Sequence, residues 1–192
     1  MDAPADYAVA ARMMTRSLPA YVSYSIHSIV HTPVVNKEET AAVVVRTSDG
    51  VVVKGKRPGI NVEGGDRNGQ SPTVRDSPFD PACYAATAAR TTLFEGRPAE
   101  ELTLRGTCKS DKGDQDFSKL YIDPVSRTPM AVTGGDSDKT VAVRLEQRFV
   151  SVDHHVVPAS LLVDIKGSGF MFWLNLSVRQ EYTKYAFSNT PP

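Results

Sequence analysis

The sequence predicts an α+β protein that is mainly β: a large, curved antiparallel sheet (an unclosed β-barrel) with an N-terminal helix and one or two short helices covering its concave side. Apolar and polar residues alternate with a period of two in about eight to eleven segments, as in strands with one covered face. Short turns containing Gly, Asp or Pro join these segments, which favours antiparallel neighbours. A twisted sheet of this size tends to curl.

The composition is typical of a single globular domain, which we expect to span residues 1–192. Hydrophobic residues make up 41% of the 192 residues, enough for a sizeable core. Lys plus Arg and Asp plus Glu each total 22, so no nucleic-acid partner is expected. No apolar run approaches the roughly 18–20 residues that cross a bilayer. Met1 is followed at once by Asp2 and Pro4, which does not resemble a signal peptide.

Residues 4–18 are predicted to form the N-terminal helix. Asp2 can cap its start, Pro4 fits the first turn, and Pro19 stops it. Apolar side chains recur at helical spacing and form one stripe, which most simply packs against a sheet; the stripe consists of Tyr7, Ala10, Ala11, Met14 and Leu18.

Residues 20–31 change to a period of two and predict the first strand. Tyr24 and Ile26 share an apolar face with two valines, whereas His27 and His31 share the opposite face with serines. The two histidines are about 13 Å apart along a strand, so surface positions are favoured over a shared metal ion. Residues 39–47 and 51–54 predict the next hairpin, with Asp-Gly in its turn.

Residues 55–78 predict a long loop, because Gly, Pro, Asn, Asp and Arg dominate there. The loop contains neither a phosphate-binding Gly-Lys-Ser/Thr sequence nor a dinucleotide fingerprint. Lys56 and Arg57 can meet an anion, although solvated loop charges are the commoner case. A further hypothesis is that this loop forms a lid over a binding site.

A short second helix is predicted over residues 82–90. Asp80 can cap it, Pro81 suits its first turn, and alanine dominates the run that follows.

Cys83 falls in this predicted helix, and Cys108 ends an alternating segment over residues 100–108, on its apolar face. Two alternatives remain open for the pair. A disulfide would close a loop of about 26 residues and stabilise the fold by roughly 3 kcal/mol, whereas two separate buried thiols would suit a reducing compartment.

The remaining strands follow in close succession. Residues 117–132 predict strand, turn and strand, and residues 141–149 form the cleanest amphipathic strand. Residues 157–187 predict a long hairpin that turns at Gly167-Ser168-Gly169. Its second strand begins with apolar residues on both faces: Phe170, Phe172 and Leu174 on one face, Met171 and Trp173 on the other. An ordinary half-exposed strand is apolar on one face only.

Catalytic patterns are sparse. His154 and His155 are adjacent, so in an extended chain they point to opposite faces and make poor joint ligands for one metal ion. No Gly-x-Ser-x-Gly elbow or His-Glu-x-x-His spacing is present. The alternatives to a binding protein are a hydrolase that uses His154 or His155 with an acidic partner, and a scaffold without a small ligand. No cofactor is expected.

The order of elements resembles the LolA/LolB-like family of periplasmic lipoprotein carriers and related lipoprotein-sorting proteins. The resemblance rests on the helix at 7–18, the strand at 21–31, and Leu120-Tyr-Ile-Asp-Pro-Val-Ser-Arg-Thr-Pro-Met130. In that family a strand ends in an Asp-Pro-type turn and the next strand begins with proline. The 55–78 loop and the cysteine pair depart from the family pattern.

The resemblance implies an unclosed antiparallel barrel whose concave interior accepts acyl chains. It therefore implies a carrier for a lipid, acyl chain or other apolar ligand that requires no covalent chemistry and is exported to the periplasm or cell envelope. The signal peptide is expected to lie outside this sequence. A monomer is expected, with an envelope membrane protein or lipoprotein as a further partner. The residues predicted to line the cavity are Tyr24, Ile26, Met171, Phe172, Trp173 and Leu174.

Overall fold

A computed structural model describes residues 2–16, 18–58, 78–107, 117–135, 137, 141–169 and 172–192, with the backbone alone for 168, 169 and 172–174. It contains one helix and ten strands in these ranges: α1 (Ala3–Met14), β1 (Tyr21–His31), β2 (Asn36–Arg46), β3 (Val52–Lys54), β4 (Tyr84–Phe94), β5 (Arg97–Gly106), β6 (Phe117–Ile122), β7 (Pro129–Gly134), β8 (Val141–Val152), β9 (His155–Gly169) and β10 (Phe172–Ser188).

All ten strands belong to one antiparallel sheet with the order β3-β2-β1-β10-β9-β8-β7-β6-β5-β4. Within the described residues the two edge strands, β3 and β4, pair with one neighbour each, so the sheet is unclosed. The predicted fold class, mainly β with an unclosed antiparallel sheet and an N-terminal helix, is confirmed. The twelve-residue helix α1 is too short to cross a membrane, and no other described segment supplies a spanning helix.

Helix α1 begins where the sequence predicts. The Asp2 side chain accepts a hydrogen bond from the Ala5 N–H at 3.3 Å and so caps the first turn. The helix ends at Met14, one turn earlier than predicted, and Thr15 closes it by donating from its N–H to Ala11 O.

Helix α1 lies on one face of the sheet, which we call the inner face. Its buried side chains Tyr7, Ala10 and Ala11 form one core cluster with buried residues of four strands. The strand residues of this cluster include Tyr84, Ala86, Leu102, Leu104, Leu120, Ile122 and Val132. The helix thus lies over the inner face of β4 to β7, and it also contacts β9.

The second predicted helix is wrong, because residues 84–94 form the edge strand β4. Its backbone pairs with β5, from Tyr84 opposite Gly106 to Phe94 opposite Arg97. Tertiary packing overrides the helix propensity of alanine here. Ala86 is buried in the cluster beneath α1, where a small side chain lets the helix approach the sheet closely.

A charged cluster joins α1 to the sheet. Arg127, in the turn between β6 and β7, has a left-handed φ of 62°. Its guanidinium pairs with Asp6 of α1, Nε to Oδ1 at 3.3 Å, and with the buried carboxylate of Glu100 on β5. Removal of the guanidinium would leave Glu100 buried without its cation, an expensive state.

The predicted disulfide stays a prediction, because Cys108 lies outside the described residues. Cys83 is buried. The Thr107 N–H donates to the Cys83 carbonyl at 2.8 Å, so the backbone immediately before Cys108 runs beside Cys83. The predicted 55–78 loop lies mostly outside the described residues too, apart from 55–58 and residue 78.

Candidate functional site

The strand register shows which residues of the other strands share the inner face with the residues under α1. Residues directly opposite each other in antiparallel strands point to the same face. Val132, which packs under α1, lies opposite Gln147 of β8; Gln147 lies opposite Leu161 of β9. Leu161 in turn lies opposite Gln180 of β10. Alternate residues of β8, β9 and β10 therefore face inward.

Seven inward aliphatic residues of these three strands have side chains of intermediate burial, and we call them the open strip: Val143, Leu145, Leu161, Val163, Ile165, Leu176 and Val178. Each is only half-buried. Beneath α1, by contrast, Leu102 and Leu120 are 0% exposed. The part of the inner face beneath α1 is thus fully covered, whereas that of β8 to β10 is only partly covered.

The outward residues of the same strands are mostly polar. Arg144 of β8 lies opposite Asp164 of β9, and Lys166 of β9 lies opposite Asn175 of β10. Since the outer face has ordinary polar side chains for contact with water, the aliphatic open strip is specific to the inner face.

An aromatic cluster borders the open strip where β10 meets β1. The ring of Tyr24 lies 5.8 Å from that of Tyr182 and 5.4 Å from that of Tyr185, and Phe187 stacks beyond Tyr185 at 6.4 Å. A register shift between β1 and β10, together with the left-handed φ of 56° at Lys184, interrupts the alternation. As a result Tyr182 and Tyr185, three residues apart, both contact Tyr24.

The hydroxyl groups of the two β10 tyrosines have defined partners. Tyr185 donates to the Pro158 carbonyl at 2.6 Å, and Tyr182 donates to Gln180 Oε1 at 2.8 Å. Burial raises the pKa of Tyr182 to about 12, and the positive charge of Arg57 acts against this rise.

Beyond the aromatic cluster the inner face becomes polar and cationic. Ser28 of β1 lies between Gln180 of β10 and Glu39 of β2, and its hydroxyl is buried without a hydrogen-bond partner in the described part of the chain. A cavity of about 290 Å³ follows at the edge of β2; its walls are Lys37, Glu39, Thr40, Ala41, Lys56, Arg57 and Pro58.

A close backbone approach fixes the cavity's second wall. Gly55 has a φ of 83°, and a Cβ at this position would lie 2.1 Å from the Ala42 carbonyl oxygen of β2. Only glycine fits so close to the neighbouring strand. The segment that carries Lys56 and Arg57 is therefore held against β2.

Of the predicted lining residues, only Tyr24 and Ile26 have described side chains. Ile26 is 2% exposed and packs in a cluster with Val43 and Val45. Tyr24 is half-buried against that cluster and contacts the aromatic rings of β10. Met171 lies outside the described residues, as do the side chains of the other three: Phe172, Trp173 and Leu174. The predicted lining as a set stays a prediction.

The open strip is the part of the candidate site that sequence reasoning missed. A usable signal was present, because Leu161, Val163 and Ile165 alternate within the hairpin, as do Val143 and Leu145 in the preceding strand. The predicted turn was also two residues early: Gly169 pairs with Phe172, so residues 170–171 connect β9 to β10.

The hydrolase alternative uses His154 or His155. Both lie at the end of the β8–β9 hairpin where the chain turns. Asp153 and His154 have φ values of 48° and 67° and form the exposed two-residue turn between these strands. His155 packs on Phe187 with ring centroids 4.8 Å apart, and its Nδ1 is buried without a hydrogen-bond partner among the described residues. The same residues contain no cluster of metal-binding side chains.

The architecture is that of a LolA-like protein. A LolA superfamily protein from Nitrosomonas europaea superposes with a TM-score of 0.51 at 9% identity, over 100% of this chain and 96% of the other. A DUF1329 family protein from Desulfovibrio piger superposes with a TM-score of 0.53 at 10% identity, over 97% and 94%. No protein-family model and no curated protein sequence matches the chain. The structural neighbours establish the fold, and the predicted LolA-like resemblance is confirmed at that level.

Proposed function

We propose that this protein is a non-catalytic carrier that binds the acyl chain of a lipid or similar apolar ligand in the periplasm or cell envelope of a bacterium. The open strip carries the proposal, because it presents aliphatic side chains on the inner face that are only partly buried. The LolA-like fold supports the same function. We further propose that the protein acts as a monomer and exchanges its ligand with an envelope membrane protein or lipoprotein.

Physical chemistry supports an acyl ligand on this surface. Burial of apolar surface gains about 0.8 kcal/mol for each methylene group, so an alkyl chain laid across three strands gains substantial binding energy without any polar contact. An aliphatic strip has no directional donor or acceptor, which suits a saturated chain. Half-covered side chains also leave room for a ligand that the fully buried core under α1 lacks.

A pair of adjacent substitutions tests the proposal. Leu176→Asp places a carboxylate in the open strip, whereas Asn175→Asp places the same charge on the outer face opposite Lys166. Binding of a fluorescent acylglycerol, measured by titration, should weaken about tenfold or more in Leu176→Asp. Asn175→Asp should bind like the wild type, and circular dichroism checks that both variants fold.

Equal binding by these two variants would remove the open strip from the ligand site, and absence of binding by the wild type would reject the carrier. Trp173→Asp extends the same titration to the predicted lining. There we expect loss of acyl binding without unfolding.

A further inference from the structure

We propose that Gln147 is a specificity-determining residue of the carrier, whose side-chain amide donates a hydrogen bond to the carbonyl oxygen of an uncharged acyl ester or amide. This inference rests on the proposed carrier function and adds the chemical class of the ligand's polar group. It begins at the end of the open strip where Leu161 lies, because polar side chains border the aliphatic ones there.

Two glutamines stand beside Leu161 in one row across the sheet. Gln147 of β8 and Gln180 of β10 lie directly opposite Leu161 in the strand register, one on each side. Opposed residues of an antiparallel pair share a face and lie about 5 Å apart, so both amides border the last aliphatic side chain of the strip. The next two rows are aliphatic throughout: Leu145, Val163 and Val178, then Val143, Ile165 and Leu176.

The amide group of Gln147 is available to a ligand. Its side chain is only partly buried, and neither atom of the amide has a hydrogen-bond partner among the described residues. Gln180, by contrast, already accepts a hydrogen bond from Tyr182 through its Oε1 at 2.8 Å. A carbonyl oxygen at this end of the strip would therefore meet an unengaged N–H donor at Gln147.

The charges of these strands lie on the other face of the sheet. In the described part of the chain, the inward side chains of residues 143–147, 161–165 and 176–182 are all uncharged. The charged residues of these segments face outward: Arg144, Glu146, Asp164, Arg179 and Glu181. Arg57, whose charge acts on Tyr182, is already engaged by other residues.

This separation of charge selects between polar groups that an acyl chain can carry. A carboxylate at the end of the strip would lose contact with water without gaining a cation, which is costly. The carbonyl group of an ester or amide loses less on desolvation and regains one hydrogen bond from Gln147. The row at Leu161 therefore favours an ester-linked or amide-linked chain over a free fatty acid.

Two lipids that differ by one carbonyl group test the inference: monopalmitoylglycerol and its ether analogue, hexadecylglycerol. They have the same glycerol head and equally long chains. Each is used to displace a fluorescent acylglycerol from the wild-type protein. One hydrogen bond to the carbonyl oxygen predicts about fivefold tighter binding of the ester. Palmitate, ionised at about pH 8, should bind more weakly than the ester because it finds no cation there.

Matched amide-to-leucine variants locate the donor. Gln147→Leu should lower the affinity for monopalmitoylglycerol about fivefold, to that of hexadecylglycerol. Asn175→Leu removes an amide from the outer face, opposite Lys166, and should keep the preference for the ester.

A charged variant gives a gain that misfolding cannot imitate. The ammonium group introduced by Gln147→Lys should pair with a carboxylate at the end of the strip. Palmitate should then bind about tenfold more tightly than it binds the wild type, with no gain for monopalmitoylglycerol.

The contrary outcomes separate the inference from the carrier function. Equal affinity of the wild type for ester and ether, or a preference that survives in Gln147→Leu, would reject Gln147 as the donor. Palmitate that binds the wild type as tightly as the ester, or that gains nothing from Gln147→Lys, would reject the uncharged class of ligand. All of these results leave the carrier intact, whereas failure of all three lipids to bind the wild type would reject the carrier itself.

Discussion

The two halves of the inner face have similar side chains but different cover. Under α1, Leu120 and Ile122 of β6 are 0% exposed, and they belong to the same core cluster as Tyr7 and Ala10 of the helix. On β9, Leu161 and Val163 face the same side of the same sheet and are half-buried. The difference teaches that the cover over the sheet, rather than the hydrophobicity of the strands, decides which part is structural core and which part is available to a ligand.

A physical asymmetry follows from this comparison. A fully buried aliphatic side chain contributes its complete transfer energy and fills space that nothing else occupies. A half-exposed one contributes less to folding and retains apolar area that a ligand can cover. The covered half should therefore govern stability, and the open strip should govern binding.

A matched pair of leucine substitutions tests this asymmetry most strongly. Leu120→Ala opens a cavity in the covered half and should lower the free energy of unfolding by about 2–5 kcal/mol. Leu161→Ala should cost clearly less, about 1 kcal/mol, because its side chain is only half-buried. Urea unfolding measures both values. Equal losses would contradict the division of the sheet into two halves.

The predicted disulfide between Cys83 and Cys108 would stabilise the covered half of the inner face, which is the part under α1. We expect a reductant to lower the free energy of unfolding by roughly 3 kcal/mol, since the closed loop is about 26 residues long. Alkylation of the denatured, unreduced protein followed by mass measurement should label neither cysteine. Labelling of both would disprove the bridge, and urea unfolding with and without reductant gives the energy.

The last effect concerns a tyrosine from each half. Burial raises the pKa of Tyr7, which donates to the Pro78 carbonyl at 3.0 Å, to about 12, and burial does the same for Tyr182. The unfolded chain ionises near pH 10, so it binds fewer protons than the native state above that pH, and stability should fall from about pH 10 to pH 12.

Tyr7→Phe and Tyr182→Phe each remove one of these ionisations, so each should make the fall shallower. Urea midpoints at a series of alkaline pH values provide the measurement. A wild-type midpoint that stays constant over this range would contradict the assignment.

Sequence patterns predicted the fold well because alternation and turn residues are local signals. The cap at Asp2 and the strand at 141–149 both follow from short stretches. The helix predicted over 82–90 failed because pairing of β4 with β5 and packing under α1 are long-range effects. Helix propensity alone cannot reveal them.

The site was less predictable for the same reason. Tyr24 and Ile26 share a face as predicted, but Ile26 is core and Tyr24 borders an aromatic cluster. The interruption of alternation near Lys184 has no sequence signature comparable to glycine in a turn. How much of each strand the helix covers depends on where α1 packs, which the sequence alone does not show.

Photo-crosslinking tests the central claim most directly, namely that the open strip binds the acyl chain. A monoacylglycerol with a diazirine in its chain is bound to the wild-type protein, activated by light and mapped by peptide mass spectrometry. We predict saturable labelling of β9 and β10 at inward positions such as Val163 and Val178. Labelling confined to α1, to β4–β6 or to outward residues such as Lys166 would contradict the account.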